Sequence, residues 1–404
     1  MTVGLVGHYV GAKMGIGAFL DRLLEPLMAT LTKQGVEARI IASPNALRQT
    51  PAIARLQQAS PTAVEILPPL DDAPLKRFIW IATQFSDYCR QKGFKQIIWL
   101  SNPMILPWHP PSIAVLHDVN EWKAKEKYGS QIKTTLRSWM YIEASIRWAK
   151  KIICVSKATA ADLFHFRPQP QVRQKVETIP NGLDSPLANL TPAKIELPKA
   201  PFLLSVGRID PEGKKLPEAI ALTQALRTTS GQPWEIHLMG GMNKSTQQAG
   251  EAFIQSIKTR PWIVYHGYTA DEALAAWYAQ TTAVVFLSEN EGFGSPVAEA
   301  ASFGKRVIVN AKNQATLGAG GNAVIPILPS QIDTENKDAA TAILDQLQPI
   351  QTQSIQTQTA PPQATNRSAQ APIKKSPTKL YTYADAAITY AEQIAQILPT
   401  HSDR

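Results

Sequence analysis

The sequence is poor in features that would assign it to several broad classes. Its only cysteines, Cys89 and Cys154, are too few for a metal cage or a disulfide scaffold. One disulfide between them stays open, but a reducing cytoplasm is expected. No apolar run of about 18 residues is present, which argues against a spanning helix. The first residues lack the basic-then-apolar order of a signal peptide.

What is present indicates a globular protein with a basic surface. A length of 404 residues favours two domains, and 44% hydrophobic with 18% charged residues is ordinary for a folded chain. The net charge of +9 suits phosphate groups or an anionic membrane, although it also serves solubility. Nucleic acid is not an expected partner, because no nucleic-acid-binding module is recognisable.

Strand-like and helix-like segments alternate along most of the chain. Short apolar runs such as "TVGLVG", "VEARIIA" and "AVVFLS" are separated by amphipathic segments, a pattern typical of α/β domains with parallel sheets. We therefore expect two doubly wound α/β domains of similar architecture, one in each half of the chain. The predicted divisions are a first domain (1–184), a linker (185–200), a second domain (201–350), a low-complexity insert (351–378) and a C-terminal helix (379–398).

The segment "SENEGFGSPVAEA" (288–300) combines two carboxylates with a Gly-rich turn before a predicted helix. We expect Ser295 to be the N-cap and Pro296 the first helical residue. Glu299 then lies one position beyond a capping box, so capping does not explain it. Free N–H groups at the helix start favour a phosphate, and Glu291 and Glu299 favour hydroxyls on either side. Glu289 carries no such signal and is interpreted as a solvated acid.

Basic residues that could balance this site follow another predicted strand. In "SVGRIDPEGKK" (205–215), Arg208 and Lys214 flank an Asp-Pro turn, and Lys215 is a close alternative to Lys214. A guanidinium fork and a mobile ammonium at a strand end can bind a diphosphate and its developing charge.

These motifs resemble those of a retaining glycosyltransferase of family 4. The resemblance implies the GT-B fold, with two Rossmann-like, doubly wound domains that face each other across a cleft and a C-terminal helix (379–398) that packs back on the first domain. The resemblance lies in "SVGRIDPEGKK", "VYHGYTADEALAAWYAQTTAVVFLS" and "ENEGFGSPVAEAASFGKRVIV", with an E-x7-E pair at Glu291 and Glu299. Looser matches in the first half are "GIG" (15–17), "VLHD" (115–118), "ICVSKATAADL" (153–163) and "IPNGLD" (179–184). The segment "AKNQATLGAGGNAVIPI" (311–327) lacks the clear acidic residue that many relatives carry past the second glutamate.

The resemblance implies a role for each matching residue. Glu291 would contact the transferred sugar and Glu299 the nucleotide ribose, while Arg208 and Lys214 would neutralise the leaving diphosphate. His117 would lie near the sugar and the acceptor. The backbone of Gly292, Phe293, Gly294 and Ser295 would line the donor, and the loop of Gly15 and Gly17 would close on its phosphates.

The implied reaction transfers a hexose, mannose or glucose, from a nucleotide diphosphate sugar to a hydroxyl of a glycan or lipid-linked acceptor. No cofactor is expected. The sequence has no D-x-D motif, which agrees with a metal-independent mechanism. A non-catalytic nucleotide-sugar-binding protein of the same fold stays open. A nucleotide-dependent dehydrogenase is disfavoured, because Leu20 replaces the third small residue of the fingerprint and Ser43 replaces the ribose-binding acid.

A basic and aromatic stretch suggests a further partner. Residues 123–151 contain eight lysines and arginines, with Trp139 and Trp148 among them. Such a helix can dock on anionic lipid, although a solvated face over core aromatics has the same pattern. A cytoplasmic protein with peripheral membrane contact is therefore one expectation.

Overall fold

The structure is a computed structural model that describes residues 2–8, 15–123, 131–243, 246–332, 337–347 and 381–397. The low-complexity insert predicted at 351–378 lies outside the described residues. The described chain forms two parallel sheets, one from each half of the sequence.

The first sheet has seven strands in the order β3-β2-β1-β4-β5-β6-β7. Its order reverses direction between β1 and β4, which is the switch point of a doubly wound sheet. The strands are β1 (Thr2–Val6), β2 (Glu37–Ala42), β3 (Val64–Ile66), β4 (Phe94–Trp99), β5 (Ser112–Leu116), β6 (Lys151–Cys154) and β7 (Val176–Thr178).

The second sheet repeats this plan with six strands in the order β10-β9-β8-β11-β12-β13. Its switch point lies between β8 and β11, which pair in parallel. The strands are β8 (Phe202–Val206), β9 (Glu235–Met239), β10 (Ile263–Gly267), β11 (Ala283–Phe286), β12 (Arg306–Asn310) and β13 (Val324–Ile327).

Helices connect successive strands of both sheets. In the first half they are α1 (Ile16–Lys33), α2 (Pro44–Gln49), α3 (Pro51–Ala59), α4 (Pro74–Thr83), α5 (Phe85–Gln91), α6 (Asn120–Lys123), α7 (Gln131–Ser138), α8 (Ala144–Trp148), α9 (Lys157–Phe166) and α10 (Pro170–Lys175). In the second half they are α11 (Leu216–Ser230), α12 (Gln247–Ile257), α13 (Asp271–Gln280), α14 (Ser295–Ser302), α15 (Gln314–Gly320), α16 (Lys337–Leu347) and α17 (Tyr383–Ala395).

Helix α17 lies against α1 of the first domain. Its start is held there because the Asp184 carboxylate accepts a hydrogen bond from the backbone N–H of Tyr383 at 2.7 Å. A capping box between Thr382 and Asp385 closes the same end. Lys151, at the start of β6, donates to Gln396 at 2.6 Å beyond the last turn. One apolar cluster runs through α1, α17 and the inner faces of both sheets.

Some local structure differs from the sequence expectations. The edge strands β3 and β13 are short and were not predicted, because three or four residues carry too little periodicity. The helix predicted over 131–150 is divided by a π-helical segment, Trp139–Glu143. The extra residue per turn in that segment brings Met140, Tyr141 and Ile142 into the core together. The predicted linker contains a short 3-10 helix, Pro186–Asn189.

Cys89 and Cys154 are both buried free thiols. Burial raises the pKa of each thiol to about 12, so both stay protonated near neutral pH. Within the described residues, no helix combines the length and the apolar character that crossing a bilayer requires.

Candidate active site

A cleft of about 1640 Å³ separates the two sheets, and the carboxyl ends of strands from both domains open onto it. The segment after β8 and the segment after β11 meet at the switch point of the second sheet. All the predicted site residues line this cleft: Gly15, Gly17, His117, Arg208, Lys214, Lys215, Glu291, Gly292, Phe293, Gly294, Ser295 and Glu299. Residues far apart in the chain are therefore brought to one place.

The Gly-rich turn before α14 differs from the predicted register by one residue. The N-cap is Gly294 rather than Ser295, so Ser295 and Pro296 occupy the first two helical positions. The reason is backbone conformation, since the cap residue has φ 95°, a left-handed value that a serine side chain resists. No side chain caps this helix, Pro296 has no N–H, and the N–H groups of Val297 and Ala298 already donate to the Gly294 carbonyl. The Ser295 N–H is thus left in the first turn to bind an anion from the cleft, at the positive end of the helix dipole.

Lys214 and Glu291 form an ion pair at the centre of the second-domain wall. Both side chains are largely buried, with 17% and 19% exposed. The Lys214 ammonium also lies 4.8 Å above the Phe286 ring, which restricts where it can move. This cation therefore lies beside the loop that leads into the N-terminus of α14.

Lys215 and Arg208 have different partners. Lys215 pairs with Glu289 at 2.9 Å. Glu289, expected to be a solvated acid, is 52% exposed and forms this ion pair as well. Arg208 lies 3.6 Å from Asp210, whose other oxygen accepts from the backbone of Gly213 and so fixes the Asp-Pro turn.

Glu299 is engaged by protein groups on both oxygens. Its Oε1 accepts from Arg22 of α1 at 2.7 Å, and its Oε2 accepts from the Tyr278 hydroxyl at 3.1 Å. The Arg22–Glu299 pair joins the two domains, and the Arg22 guanidinium lies 6.0 Å from the Tyr383 ring of α17. No sequence signal points to Arg22, since nothing local distinguishes it from other helix-surface arginines.

The loop between β11 and α14, which carries Glu291, also contacts the first domain through Gly292. Its carbonyl accepts hydrogen bonds from Ser156 at 2.6 Å and Thr159 at 3.1 Å. A Cβ at position 292 would lie 1.7 Å from the carbonyl oxygen of His117, so only glycine fits this contact. Ser156 is the N-cap of α9, and the S-x-x-T spacing in "ICVSKATAADL" could have indicated it.

His117 lies half-buried at the end of β5. Its Nε2 donates to the carbonyl of Leu100 at 2.9 Å, because a carbonyl oxygen can only accept. Burial lowers the pKa of His117 to about 4, so the ring is neutral near pH 7. Nδ1 is consequently an acceptor, suited to a sugar hydroxyl rather than to a phosphate.

Asp118, the next residue, lines the cleft and was not singled out from the sequence. Burial, together with the nearby carboxylates of Glu121 and Glu291, raises its pKa to about 6. Its Oδ1 accepts from the backbone N–H of Asn120 at 3.0 Å. Asp118 of the first domain and Glu291 of the second therefore lie close enough across the cleft to affect each other.

Two sequence families match the chain, one for each domain. The family described as Glycosyltransferase Family 4 matches residues 21–185. The family described as Glycosyl transferases group 1 matches residues 190–319. A search of curated protein sequences finds no match.

Solved structures show the same fold at low sequence identity. Anabaena HepE in complex with UDP-glucose superposes with a TM-score of 0.61 at 16% identity, over 97% of this chain and 95% of that one. Sucrose-phosphate synthase from Thermosynechococcus elongatus gives 0.59 at 18%, over 86% and 89%. The UDP-GlcNAc 2-epimerase of Methanocaldococcus jannaschii gives 0.53 at 9%, over 98% and 100%.

The superpositions establish the two-domain fold, which transferases share with an epimerase, whereas the two sequence matches are both to glycosyltransferases. The cleft adds a helix N-terminus with cations beside it, as a phosphate-bearing donor requires. The chain is a glycosyltransferase of the GT-B fold, whose first domain matches the family described as Glycosyltransferase Family 4 and whose second matches the family described as Glycosyl transferases group 1.

Proposed function

We propose that the protein transfers a hexose from a nucleotide diphosphate sugar to a hydroxyl of a glycan or lipid-linked acceptor, with retention of anomeric configuration and without a metal. The observation that carries the proposal is the Lys214–Glu291 pair beside the uncapped N-terminus of α14. A diphosphate in front of the helix can take Lys214 and Arg208 as counter-charges. Glu291 is then released to accept hydrogen bonds from sugar hydroxyls.

In this reaction the bond between the anomeric carbon and the diphosphate oxygen breaks as the acceptor oxygen bonds to the same face of that carbon. The acceptor proton passes to an oxygen of the leaving phosphate. The leaving group gains negative charge, so preorganised cations and N–H groups there stabilise the transition state more than the ground state. His117, neutral and aimed by Leu100, would orient a sugar or acceptor hydroxyl through Nδ1.

A uridine nucleotide is the leading donor class, because Anabaena HepE, which shares the fold, was solved with UDP-glucose, with UDP, and with UDP and glucose. The sugar is proposed as glucose or mannose. The decisive experiment is a thermal-shift screen with UDP-glucose, GDP-mannose and their free nucleotides, followed by donor-hydrolysis and transfer assays. A ligand that binds only the folded state raises the melting temperature.

A selective rise with one nucleotide sugar, together with turnover that persists in a chelator, is the expected result. Binding without hydrolysis or transfer over a broad acceptor panel would favour the alternative, a non-catalytic nucleotide-sugar-binding protein. No response to any nucleotide sugar would overturn the proposal.

A cytoplasmic location with peripheral contact to an anionic membrane is part of the same proposal. Leu136 and Trp139 are exposed, by 54% and 43%, on the basic helical segment of the first domain. Apolar and aromatic side chains beside bases suit the interface of an anionic bilayer. Co-sedimentation with anionic vesicles at low salt, lost in a Leu136→Ser and Trp139→Ser double variant, is the expected result. If the unmodified protein does not sediment with the vesicles, the proposed membrane contact is wrong.

A further inference from the structure

The first-domain wall of the cleft contains a second polar site, away from Lys214 and Glu291. At the switch point of the first sheet, His8 follows β1 and Asn102 follows β4, and both line the cleft. Arg77 reaches the same wall from α4. A switch point is where an open α/β sheet places a ligand, and this one has no role in the donor site described above.

His8 is a buried imidazole with nothing to bond. Only 2% of the residue is exposed, and neither ring nitrogen has a hydrogen-bond partner among the described residues. A buried polar group without a partner costs free energy, so its presence at a cleft wall points to a ligand that supplies the bond. Burial, with the charge of Arg77, lowers the pKa of His8 to about 3. The neutral ring offers one donor and one acceptor, as a hydroxyl requires.

Arg77 differs from the other cations of the cleft. Within the described residues, the other seven basic side chains that line it each lie within 4.0 Å of a carboxylate: Arg22, Arg55, Lys123, Arg137, Arg208, Lys214 and Lys215. Among the described residues, no carboxylate lies within 4.0 Å of Arg77. Its Nη1 donates to the carbonyl of Leu70 at 3.2 Å, which fixes the guanidinium beyond β3.

Asp71, the acid that follows Leu70 on this wall, already has a hydrogen-bond partner within the protein. Asp71 lines the cleft near Leu70, but its Oδ2 accepts the backbone N–H of Asn45 at 2.8 Å at the start of α2. It therefore caps a helix rather than balancing Arg77. A half-buried guanidinium without a carboxylate partner, facing a cleft, is suited to an anion.

Resting on the proposed function, we propose that Arg77 and His8 form an acceptor subsite for a sugar or polyol that carries an anionic group, a carboxylate or a phosphate. Arg77 binds the anion and His8 binds a neighbouring hydroxyl. The strand order β3-β2-β1-β4-β5 places Arg77 on the far side of His8 from His117, so the anion lies away from the point of transfer. The acceptor hydroxyl can then reach the donor sugar near His117.

The test measures probe binding by calorimetry to protein saturated with UDP, which fills the donor site first. The probes are methyl glucuronide and glycerol 1-phosphate, which carry the two candidate anions, and methyl glucoside, the neutral analogue. We expect at least one anionic probe to bind roughly 10-fold tighter than methyl glucoside, and Arg77→Gln to remove that advantage. The anionic probe that binds more tightly shows whether the subsite takes a carboxylate or a phosphate. Lys76→Gln, on the same helix and exposed, is the matched control and should leave all affinities unchanged.

A second variant, His8→Phe, keeps the site testable if Arg77→Gln disturbs α4. It should weaken all three probes without lowering the melting temperature, because it removes polar atoms that have no partner. UDP-glucose hydrolysis without acceptor reports the donor site separately and should be unchanged in both variants. Equal affinity of charged and neutral probes would overturn the subsite, as would an equal loss of UDP-glucose and probe binding in Arg77→Gln. If the unmodified protein does not hydrolyse UDP-glucose, that result would instead count against the proposed function.

Discussion

Arg22 and Glu299 are 277 residues apart in the chain, and Arg22 Nη2 lies 2.7 Å from Glu299 Oε1 across the boundary between the domains. Each side chain is 11% exposed, so the pair is shielded from solvent. The Arg22 guanidinium thus binds the Glu299 carboxylate, which the family resemblance assigns to the nucleotide ribose. Under the proposed function, Glu299 belongs both to the contact between the domains and to the donor site.

Removing Arg22 should destabilise the protein. Arg22→Ala leaves the Glu299 carboxylate buried with only Tyr278 as partner, and breaking such a pair costs about 3–5 kcal/mol. Urea unfolding measures the change. Arg90→Ala, which removes the exposed 2.6 Å pair with Asp87, is the control and should cost at most about 1 kcal/mol. Equal losses would contradict the structural importance of the interdomain pair.

Donor binding should separate the two partners of this pair. If Glu299 binds the ribose, Glu299→Ala weakens UDP-glucose binding by roughly 10-fold or more, because a charge-assisted hydrogen bond is lost. Arg22→Ala should leave that affinity unchanged or higher, since the carboxylate is freed. Calorimetry well below the melting temperature of both variants gives the answer. Unaltered affinity in Glu299→Ala would leave Glu299 with only its structural role.

Replacing Gly292 should prevent the observed domain contact. In Gly292→Ala the new Cβ would meet the His117 carbonyl, and relieving such a clash costs about 1–3 kcal/mol or more. Transfer, measured as kcat/KM, should fall roughly 10- to 100-fold. Gly241→Ala is the control, because its Cβ would enter open space in the same cleft. Full activity in Gly292→Ala would show that catalysis does not need this closure.

Lys214 should matter through the leaving group. Lys214→Ala removes the cation that pairs with Glu291 ahead of α14, and loss of one preorganised charge partner typically lowers kcat about 10²- to 10³-fold. Donor hydrolysis and transfer should fall together, because both expel the same diphosphate. Lys258→Ala, exposed after α12, should behave as the unmodified protein. A change in acceptor KM alone would place Lys214 outside the donor site.

Stability should respond to pH through Asp118. Its pKa of about 6 lies above the ordinary 3.8, so the unfolded chain releases this proton at lower pH than the folded protein. The Asp118 contribution therefore becomes increasingly unfavourable from about pH 4 to pH 6 and stays so above. Asp118→Asn should raise the free energy of unfolding at pH 7.5 by ~3 kcal/mol and leave it unchanged at pH 3.5. Asp345→Asn, exposed on α16, is the control for urea unfolding at both pH values. A gain of the same size at pH 3.5 would contradict this origin.

The fold could be predicted from sequence because its signals are local. Runs such as "AVVFLS" and the helix that ends near Gly35 carry their periodicity and stop signals within a few residues. The short strands β3 and β13 carried too little such signal. The residues predicted for the donor site line one cleft because parallel strands deliver their carboxyl ends to one edge.

By itself, the sequence determined the alternation of strands and helices and the placement of Arg208, Lys214, Glu291 and Glu299 at strand or helix ends. Only the tertiary structure decided which partner each charge would have. Glu299 meets Arg22, Glu289 meets Lys215, and Arg77 meets no carboxylate within the described chain. The physical reason is that pairing between charges depends on distances set by the packing of two domains, which spacing along one chain does not encode.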